Sequence, residues 1–244
     1  MMPDSTCIEP RFTRGEWNVQ TDTLQPGDIQ LWYFDLSDTN SLLEPARSRL
    51  TPDDAARAGR FLRQEPQNSF MIRRGLLRRL LGLHTGSRLY PCALEYSAGG
   101  QPMMPVSRDG LRPLFFSVSH TGSDLLFALA KSWPVGVDIE EERPVRDLQR
   151  MMLKSCSGEE INRISKLPEP ERVRAFYKVW TLKEAISKAA GSGLTPEILR
   201  NSPSRMFHQY YFTLLNRMAG AVAAEHPVLR FRWRTCPAKL MICG

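Results

Sequence analysis

The sequence lacks the features that identify several classes of protein. It contains no run of about 18 apolar residues of the kind that crosses a membrane. It opens with MMPDSTCIEP, which is polar and acidic rather than basic and then apolar, so we expect no secretory signal. Its five cysteines stand apart, with no C-x-x-C spacing. This argues against a zinc site and against a disulfide framework, and reduced thiols are typical of a cytoplasmic protein.

A nucleic-acid-binding module is the first alternative that the composition raises. The 244 residues carry a formal net charge of +7, and the pI is about 9.4. Such a charge either keeps the surface solvated or attracts polyanions and acidic proteins. No nucleic-acid recognition motif is visible, however, and the aromatic residues are spread along strands and apolar stripes rather than grouped for base stacking. We therefore expect no nucleic-acid partner.

The apolar patterns predict an α+β protein with two similar α/β halves. We expect an irregular lead-in over 1–28, an N-terminal half over 29–112 and a C-terminal half over 113–244. Each half mixes strand and helix patterns in a similar order, although no residue-level repeat is visible. One expected helix begins at Thr51 and runs through residues 60–62, and three others cover 69–83, 157–166 and 169–190. The expected strands cover 29–36, 92–96, 115–120, 125–131, 135–140, 210–215, 228–234 and 239–243.

Two carboxylates interrupt the strand pattern of VGVDIEEERP, residues 135–144. Side chains alternate between the faces of a strand, so Asp138 and Glu140 share one face, about 7 Å apart. A half-exposed strand with a polar outer face would explain them. Asp and Glu are nevertheless depleted in strands, and paired carboxylate oxygens are what Mg²⁺ prefers.

The helix pattern over 169–190 supplies a third carboxylate. At about 100° per residue, Val173, Phe176, Tyr177 and Trp180 form one apolar stripe. Glu184 lies four residues after Trp180 and Lys188 a further four. On an exposed face, Glu184 and Lys188 would be an ordinary ion pair. On the apolar stripe they need a partner or an ion, because partly buried charges are costly when unpaired.

Four short blocks, in order along the chain, resemble the 4′-phosphopantetheinyl transferases, specifically the larger, Sfp-like, pseudo-dimeric type. They are GGQPMMP, FSVSHTG, GVDIE and WTLKEAISKAAGSGL. The last is similar to the family pattern W-[ST]-x-K-E-x-x-x-K-x-x-G-x-G-L. The resemblance implies transfer of the phosphopantetheine arm of coenzyme A to a serine of an acidic apo acyl or peptidyl carrier protein, with release of adenosine 3′,5′-bisphosphate. It also implies two α/β halves with the active site between them, a monomer, and Mg²⁺ (or Mn²⁺) as cofactor.

The resemblance assigns roles to the charged residues of these blocks. Asp138, Glu140 and Glu184 would hold the metal ion. Lys188 would stabilise or protonate the leaving bisphosphate, and Lys183 would contact phosphate or shape the entrance. Glu184 or a metal-bound water would take the proton of the serine. Glu160 is a weaker candidate for a catalytic acid.

The same resemblance implies the residues that bind coenzyme A. His120 would contact its phosphates, and Ser119, Gly100 and Pro102 would border the adenine and ribose. Arg57 would bind the 3′-phosphate, a task that suits a guanidinium. The arginines of RRGLLRR, residues 73–79, are expected to be a solvated helix face.

Three positions depart from the family pattern. Ser69 and Gln101 replace basic residues, and Ser117 replaces an asparagine. These departures leave the metal site intact and put in question which basic residues bind coenzyme A. Two further alternatives stay open, namely a coenzyme A-binding relative without transferase activity and a Mg²⁺-dependent phosphohydrolase.

Overall fold

The computed structural model describes residues 5–14, 24–86, 90–107, 110–112, 114–200 and 207–243, which form a mixed α+β protein. Residue 113, the expected start of the C-terminal half, lies outside these ranges. The strands are β1 (Ser5–Cys7), β2 (Phe12–Arg14), β3 (Asp28–Asp35), β4 (Glu95–Tyr96), β5 (Pro102–Met103), β6 (Phe115–Thr121), β7 (Asp124–Ala130), β8 (Val135–Glu141), β9 (His208–Leu214), β10 (Met218–Ala224) and β11 (Arg230–Thr235).

The helices are α1 (Thr39–Arg47), α2 (Pro52–Ala58), α3 (Gln64–His84), α4 (Leu148–Ser155), α5 (Gly158–Ser165), α6 (Glu169–Ala190), α7 (Pro196–Arg200) and α8 (Ala238–Cys243). No helix in the described ranges is long and apolar enough to cross a membrane.

Two main sheets stack face to face and are covered by helices on their outer sides. The order of the five-stranded sheet is β2-β11-β3-β7-β6, and that of the four-stranded sheet is β1-β9-β10-β8. Ile29 and Leu31 of β3 pack in the core between the sheets with Val137 and Ile139 of β8. The opposite face of β3 packs against α1, α3 and α8. Helix α6 covers β8 and β10.

The two main sheets do not follow the order of the chain. Strand β11, near the C-terminus, lies parallel between β2 and β3 of the five-stranded sheet. Strand β1 pairs in parallel with β9 of the other sheet. Residues 1–28, for which we expected an irregular lead-in, therefore contribute two three-residue edge strands, while residues 1–4 and 15–23 lie outside the described ranges.

Most of the expected elements are present, but the C-terminal one is wrong. Residues 239–243 were expected to form a strand, and they belong to α8 instead. A short apolar run such as KLMIC fits a buried helix turn as well as a strand. Of the expected strand 92–96 only Glu95–Tyr96 is paired. The expected helix start at Thr51 is confirmed, because its hydroxyl and Asp54 form a reciprocal capping box, but this helix ends at Ala58 and does not run through residues 60–62.

Helix α6 approaches β8 closely because Gly136 faces it. A Cβ atom built at Gly136 would lie 1.8 Å from the carbonyl oxygen of Ala185, so no larger residue fits without displacing the helix. The helix ends at Gly191, which adopts a left-handed conformation with φ of 67°. These two glycines set how near the sheet the helix lies and where it stops.

Side-chain hydroxyls link the two sheets where their edge strands, β6 and β8, meet. The Oγ of Ser117 accepts a hydrogen bond from the N–H of Val137 (3.0 Å), and the Oγ of Ser119 accepts one from the N–H of Ile139 (3.2 Å). Alternate residues of β6 thus satisfy alternate amides of β8, which would otherwise be unpaired edge groups.

Candidate active site

A cavity of about 430 Å³ lies where α2, α3, β6, β8 and α6 meet. Both main sheets contribute to its wall, since β6 and β8 are the edge strands that meet there. The cavity brings together nine of the residues that the sequence singled out. They are Arg57, Gly100, Pro102, Ser119, His120, Asp138, Glu140, Glu184 and Lys188.

Asp138 is the most constrained carboxylate in the cavity. It is 4% exposed, and its Oδ1 accepts hydrogen bonds from Lys188 Nζ (2.7 Å) and Ser119 Oγ (2.7 Å). Lys188 Nζ also donates to the carbonyl oxygen of Val137 (3.0 Å). The second carboxylate oxygen, Oδ2, is buried without a hydrogen-bond partner. A buried oxygen of this kind is costly unless a ligand or ion satisfies it.

The two glutamates beside Asp138 hold their protons more tightly than ordinary carboxyl groups. Burial raises the pKa of Glu140, the charge of Asp138 raises it further, and a hydrogen bond from Trp180 Nε1 (3.3 Å) acts in the opposite direction. Burial followed by Asp138 also raises the pKa of Glu184. Three carboxylates thus face one space with a single lysine, Lys188, paired to Asp138, an arrangement that favours an additional cation.

The donors of this acidic end suit a hard divalent cation. All three are carboxylates, and one of their oxygens is orphaned, which fits Mg²⁺. Within the described ranges, however, no three acidic, imidazole or thiol groups are gathered closely enough to hold a metal ion as they stand. The Lys188–Asp138 contact occupies one of the oxygens, so metal binding would require these side chains to rearrange.

Arginines line the opposite end of the cavity. Arg74 pairs with the buried Asp54 (3.3 Å) and donates to Tyr96 Oη (3.1 Å), while its Nη1 is buried without a partner. Burial and the neighbouring Arg74 lower the pKa of Arg73 to about 10, so it stays charged at neutral pH. The guanidinium of Arg57 lies 4.3 Å from the centre of the Tyr96 ring. This end is suited to an anion.

His120 lies between the two ends. Its side chain is open to the cavity, yet desolvation by the surrounding wall lowers its pKa to about 4, and the charges of Arg73 and Lys188 act in the same direction. The imidazole is therefore neutral at neutral pH and can donate one hydrogen bond to an anionic ligand.

Two of the expected site residues, Lys183 and Glu160, lie outside the cavity wall. Lys183 Nζ is fully buried and pairs with Glu160 (2.6 Å), which also caps the start of α5. A phosphate contact by Lys183 and a catalytic acid at Glu160 do not agree with this placement. Ser119 lines the cavity as expected, but its hydroxyl is engaged by Asp138 and Ile139.

The expectation that RRGLLRR forms a solvated face is wrong for two of its arginines. Arg74 and Arg78 are 6% and 1% exposed and both pair with Asp54. Their i,i+4 spacing among leucines could have indicated an inward-facing pair. Asp54, however, is a partner from another helix and lies 20 or more residues away along the chain, so the sequence pattern did not reveal the contact.

Comparison with known proteins identifies the family of the chain. The family description "4'-phosphopantetheinyl transferase superfamily" matches residues 134–237, which include β8 and α6. The chain is 31% identical over 172 residues to the 4'-phosphopantetheinyl transferase HetI of Nostoc sp., covering 70% of this chain and 72% of that protein.

Two further relatives extend the comparison. The 4'-phosphopantetheinyl transferase AcpT of Escherichia coli is 30% identical over 130 residues, which is 53% of this chain and 64% of that protein. The L-aminoadipate-semialdehyde dehydrogenase-phosphopantetheinyl transferase of Homo sapiens is 25% identical over 201 residues, which is 80% of this chain and 61% of that protein. The chain therefore belongs to the 4'-phosphopantetheinyl transferase superfamily.

The raised pKa values predict that the acidic end destabilises the metal-free protein. A carboxyl group whose pKa is higher in the folded state lowers stability as pH rises from its unfolded pKa, near 4.3, through its folded pKa. In EDTA we expect Glu184→Gln to raise Tm by a few degrees at pH 7.5, since about 1 kcal/mol corresponds to roughly 2–4 °C in a chain of this size.

Scanning calorimetry at pH 4 and at pH 7.5 measures this effect, and the advantage of Glu184→Gln should shrink at the lower pH. Glu171→Gln, an exposed change on the same helix, is the matched control and should leave Tm nearly unchanged at both values. A Glu184→Gln protein that is less stable than the parent at pH 7.5 in EDTA would contradict the charge crowding described above.

Proposed function

We propose that this protein transfers the 4′-phosphopantetheine group of coenzyme A to a serine of an apo acyl or peptidyl carrier protein, releasing adenosine 3′,5′-bisphosphate. The observation that carries the proposal is the bipolar cavity, which has three carboxylates at one end and arginines at the other, in a chain that belongs to this family. Coenzyme A carries both a pyrophosphate and a separate 3′-phosphate, so its charge distribution suits the two ends.

The cavity residues divide naturally between binding and chemistry. Arg57 and the neighbouring Arg73 would bind the 3′-phosphate, and the neutral imidazole of His120 would donate to a pyrophosphate oxygen. Gly100 and Pro102 lie on the wall where the nucleoside would rest. A rigid set of contacts of this kind holds the reacting phosphate in line with the incoming serine, which is the main contribution of a protein to phosphoryl transfer.

Asp138, Glu140 and Glu184 would hold Mg²⁺, with Mn²⁺ as a substitute, and the ion would supply charge neutralisation at the phosphate. Lys188, already at the edge of this group, would stabilise the bisphosphate as it leaves. Glu184, which lines the cavity, is also a candidate general base for the serine proton. A water on the ion is the other candidate for that proton.

The two-half organisation of the family is also part of the proposal. Residues from α2 and α3 line the cavity together with residues from β6, β8 and α6, which supports an active site between an N-terminal and a C-terminal α/β half. We propose the division near residue 112, and a monomer, on the same basis. The net charge of +7 would favour approach of an acidic carrier protein.

Intact-mass spectrometry of an apo carrier protein tests the transfer. After incubation with this protein, coenzyme A and Mg²⁺, we expect the carrier to gain one phosphopantetheine group. The gain should be lost in EDTA and reduced at least 100-fold in rate by Glu184→Gln, because both changes remove charge neutralisation at the phosphate. Glu171→Gln, an exposed change on the same helix, should transfer at the parental rate.

The other outcomes separate the rival functions. Binding of coenzyme A without transfer to any of several unrelated carrier proteins would favour a binding protein of the same fold. Cleavage of coenzyme A without a carrier protein would favour a phosphohydrolase. Transfer that persists in EDTA would contradict the assigned metal dependence and leave the transferase itself intact.

The arginine end of the cavity predicts discrimination between coenzyme A and 3′-dephospho-coenzyme A. Loss of a charge-assisted contact costs about 1.5–3 kcal/mol, so Arg57→Met should raise KM for coenzyme A by roughly tenfold or more. KM for the dephosphorylated form should change little. Arg60→Met, an exposed neighbour outside the cavity wall, is the control and should leave both values unchanged. An equal rise in KM for both substrates would mean that Arg57 contacts a part of the ligand other than the 3′-phosphate.

A further inference from the structure

One fully buried ammonium group belongs to Lys183, the residue before the cavity-lining Glu184 on α6. Lys183 is 0% exposed, and its Nζ donates to Glu160 Oε2 (2.6 Å), to the carbonyl oxygen of Ser155 (3.0 Å) and to that of Leu199 (2.5 Å). These three acceptors match the three N–H donors of an ammonium group. The group is therefore saturated by protein atoms, with no donor left for a ligand.

The three acceptors belong to three different short helices. Ser155 ends α4, Glu160 lies in the first turn of α5, and Leu199 is in α7. Glu160 has a second role: its Oε2 also accepts a hydrogen bond from the N–H of Ser157 (2.7 Å), which completes the capping box of α5. Lys183 thus connects α4, α5 and α7 to one position on α6 through hydrogen bonds.

This attachment contributes to how α6 is turned about its own axis, together with the apolar packing of Leu182 and Ile186. Successive residues of a helix project about 100° apart. With Lys183 held on the inner side by three bonds, Glu184 is directed into the cavity, and Lys188, one turn later, follows on the same face. Gly136 allows α6 to lie close against β8 but carries no side chain that could set the rotation.

We infer that Lys183 and Glu160 are positioning residues, which act by holding Glu184 and Lys188 in the orientation that transfer requires. The inference rests on the proposed function for its kinetic consequences. A buried ion pair is seldom retained for stability alone, because apolar residues of similar volume often replace it without loss. The ion pair can instead serve to hold α6 in a precise orientation, since a displacement of about 1 Å at a reacting group can cost about 100-fold in rate.

Three variants test the inference: Lys183→Met, Glu160→Gln and the double variant. Steady-state kinetics with coenzyme A and a carrier protein, well below each Tm, should show kcat reduced at least tenfold in each single variant. KM for coenzyme A and the Kd for 3′,5′-ADP should stay within about twofold of the parent. Because the pair acts as a unit, the double variant should be no slower than the slower single variant.

A second readout does not depend on turnover. Mn²⁺ binding in the presence of 3′,5′-ADP, followed by electron paramagnetic resonance, should weaken at least fivefold in Lys183→Met because Glu184 is no longer aimed at the cavity. Arg232→Met breaks the partly buried pair with Asp28 in the other sheet and is the matched control. It should lower Tm without changing kcat or Mn²⁺ binding.

Each contrary result has a distinct meaning. A Lys183→Met protein with a tenfold weaker Kd for 3′,5′-ADP, alongside an unaffected Glu160→Gln protein, would make Lys183 a phosphate contact and overturn the inference. A lower Tm with unchanged kcat would reduce the pair to a structural role and overturn it equally. If the parent transfers nothing to any carrier, the proposed function fails. In that case, weaker Mn²⁺ binding in Lys183→Met would still support positioning. Mn²⁺ binding that is equal in the parent and the variants, or undetectable in all of them, would overturn it.

Discussion

The contact between the edge strands β6 and β8 is the constraint on which the site depends. Each strand ends its own sheet, so its outward amides and carbonyls have no backbone partner there. The hydroxyls of Ser117 and Ser119 accept from the amides of Val137 and Ile139, and the hydroxyl of Ser119 also donates to Asp138. One serine therefore joins the two sheets and orients the most buried carboxylate of the cavity. The core between the sheets, with Val137 and Ile139 at its centre, turns Asp138 and Glu140 to the opposite face by strand alternation alone.

The electrostatics of the cavity follow from this geometry. Three carboxylates converge beside β8, and burial, followed by repulsion from Asp138, raises the pKa values of Glu140 and Glu184. Arginines from α2 and α3 converge at the other end, where Arg74 keeps one buried nitrogen unpartnered. Each end alone is an unfavourable concentration of like charge. A ligand that brings phosphate to one end and a cation to the other satisfies both, and this complementarity is the physical link between the fold and the proposed chemistry.

The sequence predicted the site residues that local strand and helix periodicity reveals. The alternation of VGVDIE identified Asp138 and Glu140, and the helical stripe through Trp180 identified Glu184. It did not predict partners far apart along the chain. Asp54 caps α2 and also binds Arg74 and Arg78 from α3, a contact that no local pattern indicated. Lys183 was expected to face the ligand because of its motif, whereas its burial depends on three helices that meet only in the fold. Strand β10, MAGAVAA, was missed because alanine and glycine carry little strand preference.

We propose above all that a divalent cation takes the place of Lys188 at Asp138 when coenzyme A binds. The most direct measurement is a crystal structure of the protein with coenzyme A and Mg²⁺. The account predicts a cation in contact with Asp138 and Glu184 beside the pyrophosphate, and Lys188 Nζ moved from its 2.7 Å contact with Asp138 Oδ1 toward the phosphate. A structure in which coenzyme A is bound elsewhere, or in which Lys188 keeps that contact and the cation lies away from the carboxylates, would contradict it.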